Sequence, residues 1–196
     1  YKRQTPDRTV ASHVAGRYGE RVITIHRDAR LAGFNTRVEE TVINALEVYE
    51  EAGHSPADAV LVLYTESPFR SSRNLDSAID VMELFATDTV VGVRPELDVM
   101  YQHDGRSLKT VRNSVILRLE REELYREVGQ LHLVRREYLE RTRSIVGGTV
   151  GHVVLHQQEA FRIRTEWDWK VAELLAGRPI SSVEREDRHE AGTHSF

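Results

Sequence analysis

The run Ala59-Val60-Leu61-Val62-Leu63-Tyr64 constrains the fold more than any other stretch of the chain. It is apolar at successive positions and not at alternate ones. A strand of that kind must be covered on both faces, as in a central parallel strand between two layers of helix. Thr89-Val90-Val91-Gly92-Val93 repeats the pattern and stops at Arg94-Pro95. Arg21 to His26, Gly129 to Val134 and Val150 to His156 are further strand-like runs.

Helical patterns separate these runs. From Thr36 to Ala52, the apolar residues Val38, Val42, Ala45, Leu46 and Tyr49 share one helix face, and Gly53 stands where a C-terminal capping glycine belongs. Asn74 is positioned to cap a helix running to about Ala86, with Leu75, Ile79, Met82, Leu84 and Phe85 as its buried stripe. Tyr138 to Arg143 reads as a short helix, and Gly147-Gly148 breaks the chain after it. Glu166 to Ala176 is amphipathic, with Trp169, Val171, Ala172, Leu174 and Leu175 as candidate core. Asp104-Gly105 marks a hairpin within the polar stretch 98–115. Strands spaced by helices predict a mostly parallel sheet with helices on both faces.

The sequence has 196 residues, which is room for one domain with a real core. We place that domain at 1–178 and read the polar stretch 179–196 as a tail. The net charge of −4 carries no footprint for nucleic acid. No apolar run approaches the roughly 20 residues of a membrane span. There is no cysteine, so disulfides, zinc–thiolate sites and thiol nucleophiles are excluded. A reducing, cytoplasmic location is the expectation. The nine histidines show no HExxH spacing. His152 and His156 would stand about 13 Å apart on a strand, too far to share a metal. Neither a GxxxxGK[ST] nor a GxGxxG phosphate loop is present.

Three clusters could carry chemistry. In Tyr64-Thr65-Glu66-Ser67-Pro68-Phe69-Arg70, a buried strand delivers a hydroxyl, a carboxylate and a guanidinium to the carboxyl edge of the sheet. Ligands of such sheets bind at that edge. The turn either holds phosphate through backbone amides and Arg70, or is a strand-to-helix corner whose arginine pairs with an acid. Arg118 and Arg126 stand eight apart in a charged run. On a helix both would point one way and could clamp an anion; the alternative is a solvated, salt-bridged face. In Arg162-Ile163-Arg164-Thr165-Glu166-Trp167-Asp168, Thr165 and Asp168 have the spacing of a capping box, while Glu166 and Asp168 diverge too far on a helix to favour a metal.

Taken in order, these pieces resemble the CMP-N-acylneuraminate synthetases and their cytidylyltransferase relatives. Thr65 to Arg70 resembles that family's TSPLR-type turn, followed by its next helix at Leu75 to Asp80 and its next strand at Thr89 to Val93. Tyr125 to Leu133 resembles its FRPNGAIYI segment, and Arg118 falls where the family carries a second arginine. Ile163 to Glu173 resembles its IDTEEDFKIAE segment, and Gly19, Arg27, Leu31 and the helix from Thr36 fit an upstream helix–strand–helix unit.

The resemblance implies an α/β fold of the Rossmann-like nucleotidyltransferase (GT-A-like) type, a three-layer sandwich with a mostly parallel sheet. It implies a CTP-dependent nucleotidyltransferase that moves CMP to an acidic sugar of the sialic acid kind. Arg118, Arg126 and Gly129 would bind the sugar, Ser67 and Arg70 would border the nucleotide, and a homodimer would form through residues 98–128. The family's opening strand and its nucleotide-holding glycine loop have no counterpart here, so that unit is expected to be absent. The family uses Mg²⁺, but its two metal-binding aspartates align with Arg162 and Arg164. These guanidiniums would face phosphate directly, with no metal ligand. The glutamine before the family's turn aligns with Tyr64, and the asparagine of its PNG with Val128. Two alternatives remain open: a catalytically impaired homologue that binds a ligand or partner, and a nucleotidyltransferase for another acidic or phosphorylated substrate.

Overall fold

A computed structural model describes residues 2–5, 8–27, 31, 33, 36–96, 98–111 and 124–177. It divides into two compact units, Tyr1–Phe161 and Arg162–Phe196.

The first unit opens with strand β1 (Lys2–Thr5), helix α1 (Arg8–Tyr18), a short 3-10 turn and strand β2 (Ile23–His26). β1 and β2 pair in parallel as a small sheet of their own. Helix α2 (Val38–Glu51), strand β3 (Ala59–Leu63), helix α3 (Ser72–Leu84) and strand β4 (Thr89–Pro95) follow. Next come the short strands β5 (Tyr101–His103) and β6 (Leu108–Thr110), the long strand β7 (Tyr125–Arg135), helix α4 (Arg136–Thr142) and strand β8 (Val150–Val154).

The main sheet has the order β3-β7-β4-β8. β7 runs antiparallel to both β3 and β4, while β4 and β8 are parallel. β3, β4 and β8 therefore share one direction, and the sheet is mostly parallel as expected. Its two faces follow the alternation of side chains along a strand. Leu61, Leu63, Leu131, Leu133 and Val90 pack with Ala78 and Met82 of α3. Val60, Val62 and Val134 pack with Ile43 and Leu46 of α2 and Leu139 of α4. That makes three layers, helix on sheet on helix. Each Leu or Met buried there stabilises the fold by about 1.5–3 kcal/mol.

In the first unit, four sequence expectations need correction. β3 is not central: it lies at the end of the main sheet's strand order, and all five of its residues are half-buried. α3 is capped by Ser71, whose Oγ accepts from the Asn74 amide at 3.4 Å, so Asn74 sits inside the first turn. Its buried stripe runs through Leu75, Ala78 and Met82, whereas Ile79, Leu84 and Phe85 are exposed. The helix ends at Leu84, before the last two could turn inward. Finally, Tyr125 and Arg126 belong to strand β7 and not to a helix shared with Arg118. Paired opposite Arg94 and Pro95, they have their backbone committed to the ladder. Arg118 itself lies outside the described residues.

The hairpin is where the sequence put it. Asp104 Oδ1 accepts from the amides of Arg106 and Ser107 at 3.0 and 2.8 Å, and Gly105 takes φ +98°. The second unit holds helix α5 (Glu166–Leu175). Thr165 and Asp168 form the expected reciprocal capping box. Trp169, Leu174 and Leu175, read as core, are exposed, and Ala172 is the buried residue of α5.

Candidate functional site

Two segments meet at the carboxyl edge of the sheet: the turn after β3 and a bulge in β7. The turn begins with the Ser67 amide donating to the Tyr64 carbonyl at 3.4 Å. Ser67 is fully buried, and its hydroxyl has no hydrogen-bond partner among the described residues. Phe69 packs against Phe161 with ring centroids 6.1 Å apart. Arg70 then reaches across to β7, where its Nη2 donates to the carbonyls of Gly129 at 3.1 Å and Gln130 at 3.3 Å. Ser71, besides capping α3, donates from Oγ to Glu159 Oε1 at 2.6 Å. Burial pushes the Glu159 carboxyl up, but the Ser71 hydroxyl, the His156 N–H and Asn74 outweigh it and hold its pKa below the usual value.

The bulge is visible in the register. Val91 faces His132, yet Val93 faces Glu127, so β7 carries extra residues over that interval. Gly129 and Gln130 absorb them with φ of +70° and +45°. Glycine adopts this conformation freely, but for glutamine it costs about 1–2 kcal/mol. Gly129 is required for a second reason: a Cβ there would overlap the Leu155 side chain. Opposite it, a Cβ on Gly92 would meet the Val128 carbonyl oxygen at 2.9 Å.

Beyond the bulge, β7 presents Arg126 and Glu127 at its exposed end. Arg126 Nε lies 3.3 Å from Glu96 Oε2, with the guanidinium mostly exposed and the carboxylate nearly buried. Glu127 Oε1 is 2.8 Å from His132 Nε2. The His132 ring is buried and meets Tyr64 edge-on at 5.9 Å. Its Nδ1 has no hydrogen-bond partner among the described residues.

The structure thus brings Arg70 and Gly129 together and sets Arg126 on the same strand as Gly129. The site also contains Glu96, Glu127 with His132, and Glu159, none of which the sequence reading singled out. Glu96 and Glu159 are lone acids in ordinary loops, and only the fold reveals their partners.

Arg162 and Arg164 open the second unit. Arg162 is half-buried and Arg164 exposed. The Arg164 amide donates to Asp168 Oδ2 at 2.9 Å, the same oxygen that serves the capping box. Magnesium asks for several oxygen donors in a near-octahedral set. The two arginines offer none, and among the described residues no three His, Asp or Glu side chains group to hold a metal ion. Arg162 and Arg164 do not fit the ion that the resemblance implies. Among the described residues, no helix is long and apolar enough to cross a membrane.

The fold is that of the cytidylyltransferases. The structure matches a 4-diphosphocytidyl-2C-methyl-D-erythritol synthase from Anaerococcus prevotii with a TM-score of 0.62 at 15% identity, covering 89% of this chain and 79% of that one. It also matches a CMP:2-keto-3-deoxy-manno-octonic acid synthetase complexed with CTP, with a TM-score of 0.59 at 13% identity, covering 90% and 80%. In sequence, the chain is similar to the post-translational flagellin modification protein B of Campylobacter coli, 23% identical over 167 residues, which span 83% of this chain and 71% of that protein. No family model matches. The resemblance to acid-sugar cytidylyltransferases read from the sequence agrees with these likenesses.

Proposed function

We propose that this chain transfers CMP from CTP to an acidic sugar of the N-acylneuraminate kind. A sugar hydroxyl oxygen attacks the α-phosphorus of CTP in line. The new P–O bond forms as the bond to the β-phosphate oxygen breaks, pyrophosphate leaves, and the hydroxyl proton passes to solvent. Such a reaction asks little covalent chemistry of the protein; it asks for positioning and for neutralised charge. The reading is carried by one arrangement. At the carboxyl edge of a cytidylyltransferase-type sheet, the turn Thr65–Arg70 is tied to the β7 bulge, and Arg126 stands exposed just beyond it.

In this reading, Arg126 pairs with the sugar carboxylate, Arg118 is its second cation, and Gly129 gives the sugar close access to the backbone. Ser67 and Arg70 border the nucleotide. Arg162 and Arg164 neutralise phosphate without a metal. Residues 98–128 form the arm of a homodimer, and the location is the cytoplasm, where nucleoside triphosphates are made and spent. A second reading, a ligand-binding homologue without turnover, draws on the guanidiniums that stand where the resemblance places metal-binding carboxylates.

Calorimetric titration of CTP with and without Mg²⁺, followed by an assay for pyrophosphate release with N-acylneuraminate and 3-deoxy-octulosonate acceptors, separates the two. CTP binding together with acceptor-dependent pyrophosphate supports the transferase. Binding without turnover supports the second reading. No binding of CTP sinks the first.

A further inference from the structure

Arg70 reaches from the turn after β3 to the backbone of β7. Its guanidinium is spent on the carbonyls of Gly129 and Gln130, residues 59 and 60 positions away in the chain. The hollow that it lines with Ser71, Gly129, Leu155 and Glu159 measures about 10 Å³. That is room for a single water and no more. The arginine is also fixed from behind, because Ser71 next to it caps α3 and holds Glu159. A rigid helix start thus grips the one place in β7 where the backbone is strained, Gln130 at φ +45°. A bulge turns the strand that carries it and re-aims the side chains beyond. Here those side chains are Glu127 and Arg126.

We propose that Arg70 is a positioning residue: by clamping the Gly129–Gln130 bulge it sets the heading of Tyr125–Val128, and so the place of the Arg126 guanidinium. The proposal rests on the reading that Arg126 takes the sugar carboxylate. The clamp also explains why strain survives at a glutamine. Strained backbone persists where its surroundings over-determine it, and such places cluster at working sites.

The test uses Arg70→Lys, which keeps the charge but loses the fork, and Gln130→Gly, which removes the strain the clamp opposes. Arg70→Lys should raise KM for the acidic sugar by about 10-fold, and should raise it no further in an Arg126→Ala background. Adding Gln130→Gly should return the sugar KM toward the parental value, which loss of general stability would not allow. Hydrogen exchange gives a readout free of activity. Amides at 93, 94, 96 and 124–128 should exchange about 10-fold faster in Arg70→Lys, with those at 131–135 unchanged. A parental sugar KM, an equal further rise on top of Arg126→Ala, or exchange that quickens evenly along β7 overturns the proposal. If the parental chain transfers no CMP at all, the functional reading fails by itself. The exchange pattern and its rescue by Gln130→Gly then decide the clamp alone.

Discussion

Arg126 and Glu96 meet across the outer end of the β4–β7 pair, Nε to Oε2 at 3.3 Å. The arginine side chain is 64% exposed and the glutamate 10%. Glu96 is held in turn, since its Oε1 accepts from the Asp98 amide at 3.1 Å. A cation that is exposed yet steered by a fixed carboxylate suits an arriving anion. Arg126→Ala should therefore lower kcat/KM for the acidic sugar by about 10- to 100-fold, the worth of a charged hydrogen bond, and leave KM for CTP within about 2-fold. Steady-state kinetics with each substrate varied in turn checks this. Equal losses for both substrates would remove Arg126 from the sugar side.

Two glycines should respond in opposite directions to alanine. Gly129 combines φ +70° with a Cβ position already filled by Leu155. Gly129→Ala should cost about 2–4 kcal/mol, from backbone strain and overpacking together. Gly16 lies inside α1, and a Cβ there meets nothing within 4 Å. Gly16→Ala should stabilise by about 0.5–1 kcal/mol through helix propensity and a less free unfolded chain. Urea midpoints of the two variants check the contrast. A Gly129→Ala protein as stable as the parent would mean that the bulge can move elsewhere in β7.

The layers of this fold were legible because they depend on local pattern. Ala59–Leu63 and Thr89–Val93 announce covered strands, and Val38 to Tyr49 announces a helix face. Pairing order was not legible. The insertion of β7 between β3 and β4 is a non-local fact, and it moved β3 from the expected centre to the end of the order. β1 was missed because Lys2-Arg3-Gln4-Thr5 carries no apolar pattern, and its strand is defined by backbone pairing to β2. The cap of α3 was placed at Asn74, but Ser71, three residues earlier, is the cap, and its side chain accepts from the Asn74 amide. At the site, Arg70 and Gly129 were visible as separate residues. Their tie was not, because nothing in a sequence marks a glutamine at positive φ.

The capping box of α5 carries a prediction with a pH sign. Asp168 Oδ2 accepts from the Arg164 amide, the Thr165 amide and the Thr165 hydroxyl at 2.9, 2.8 and 2.9 Å. These bonds, that of Arg164 foremost, hold its pKa below the usual value. A depressed folded pKa means that the stabilisation is whole above the unfolded value of about 3.9 and is lost as pH falls through the folded one. Hydrogen exchange at the first-turn amides of α5 should stay protected at pH 5 and weaken below about pH 4. Asp168→Asn should remove that acid dependence. Thr165→Ala should cost the helix about 1 kcal/mol at neutral pH. If the protection ignores pH in the parent, the box is not what holds the helix start.

The hairpin between β5 and β6 turns on Asp104, whose pKa is lowered to about 2. The Ser107 amide is the largest cause, followed by the Arg106 amide, with the Lys109 ammonium third. The Lys109 Nζ stands 2.9 Å from Oδ2, but it is a surface contact between exposed groups. Pairs of that kind contribute little, while amides fixed by the turn cannot leave without unmaking it. Lys109→Met should therefore move the Asp104 carboxyl resonance midpoint only slightly, whereas replacing Gly105 with valine, which resists φ +98°, should return it toward an ordinary carboxylate. The turn keeps its hydrogen bonds above the unfolded pKa of about 3.9 and opens as pH falls through the folded value. An NMR titration of the carboxyl carbon in the parent and both variants measures it. A midpoint that returns to the ordinary range in Lys109→Met would make the ion pair, and not the backbone, the holder of the turn.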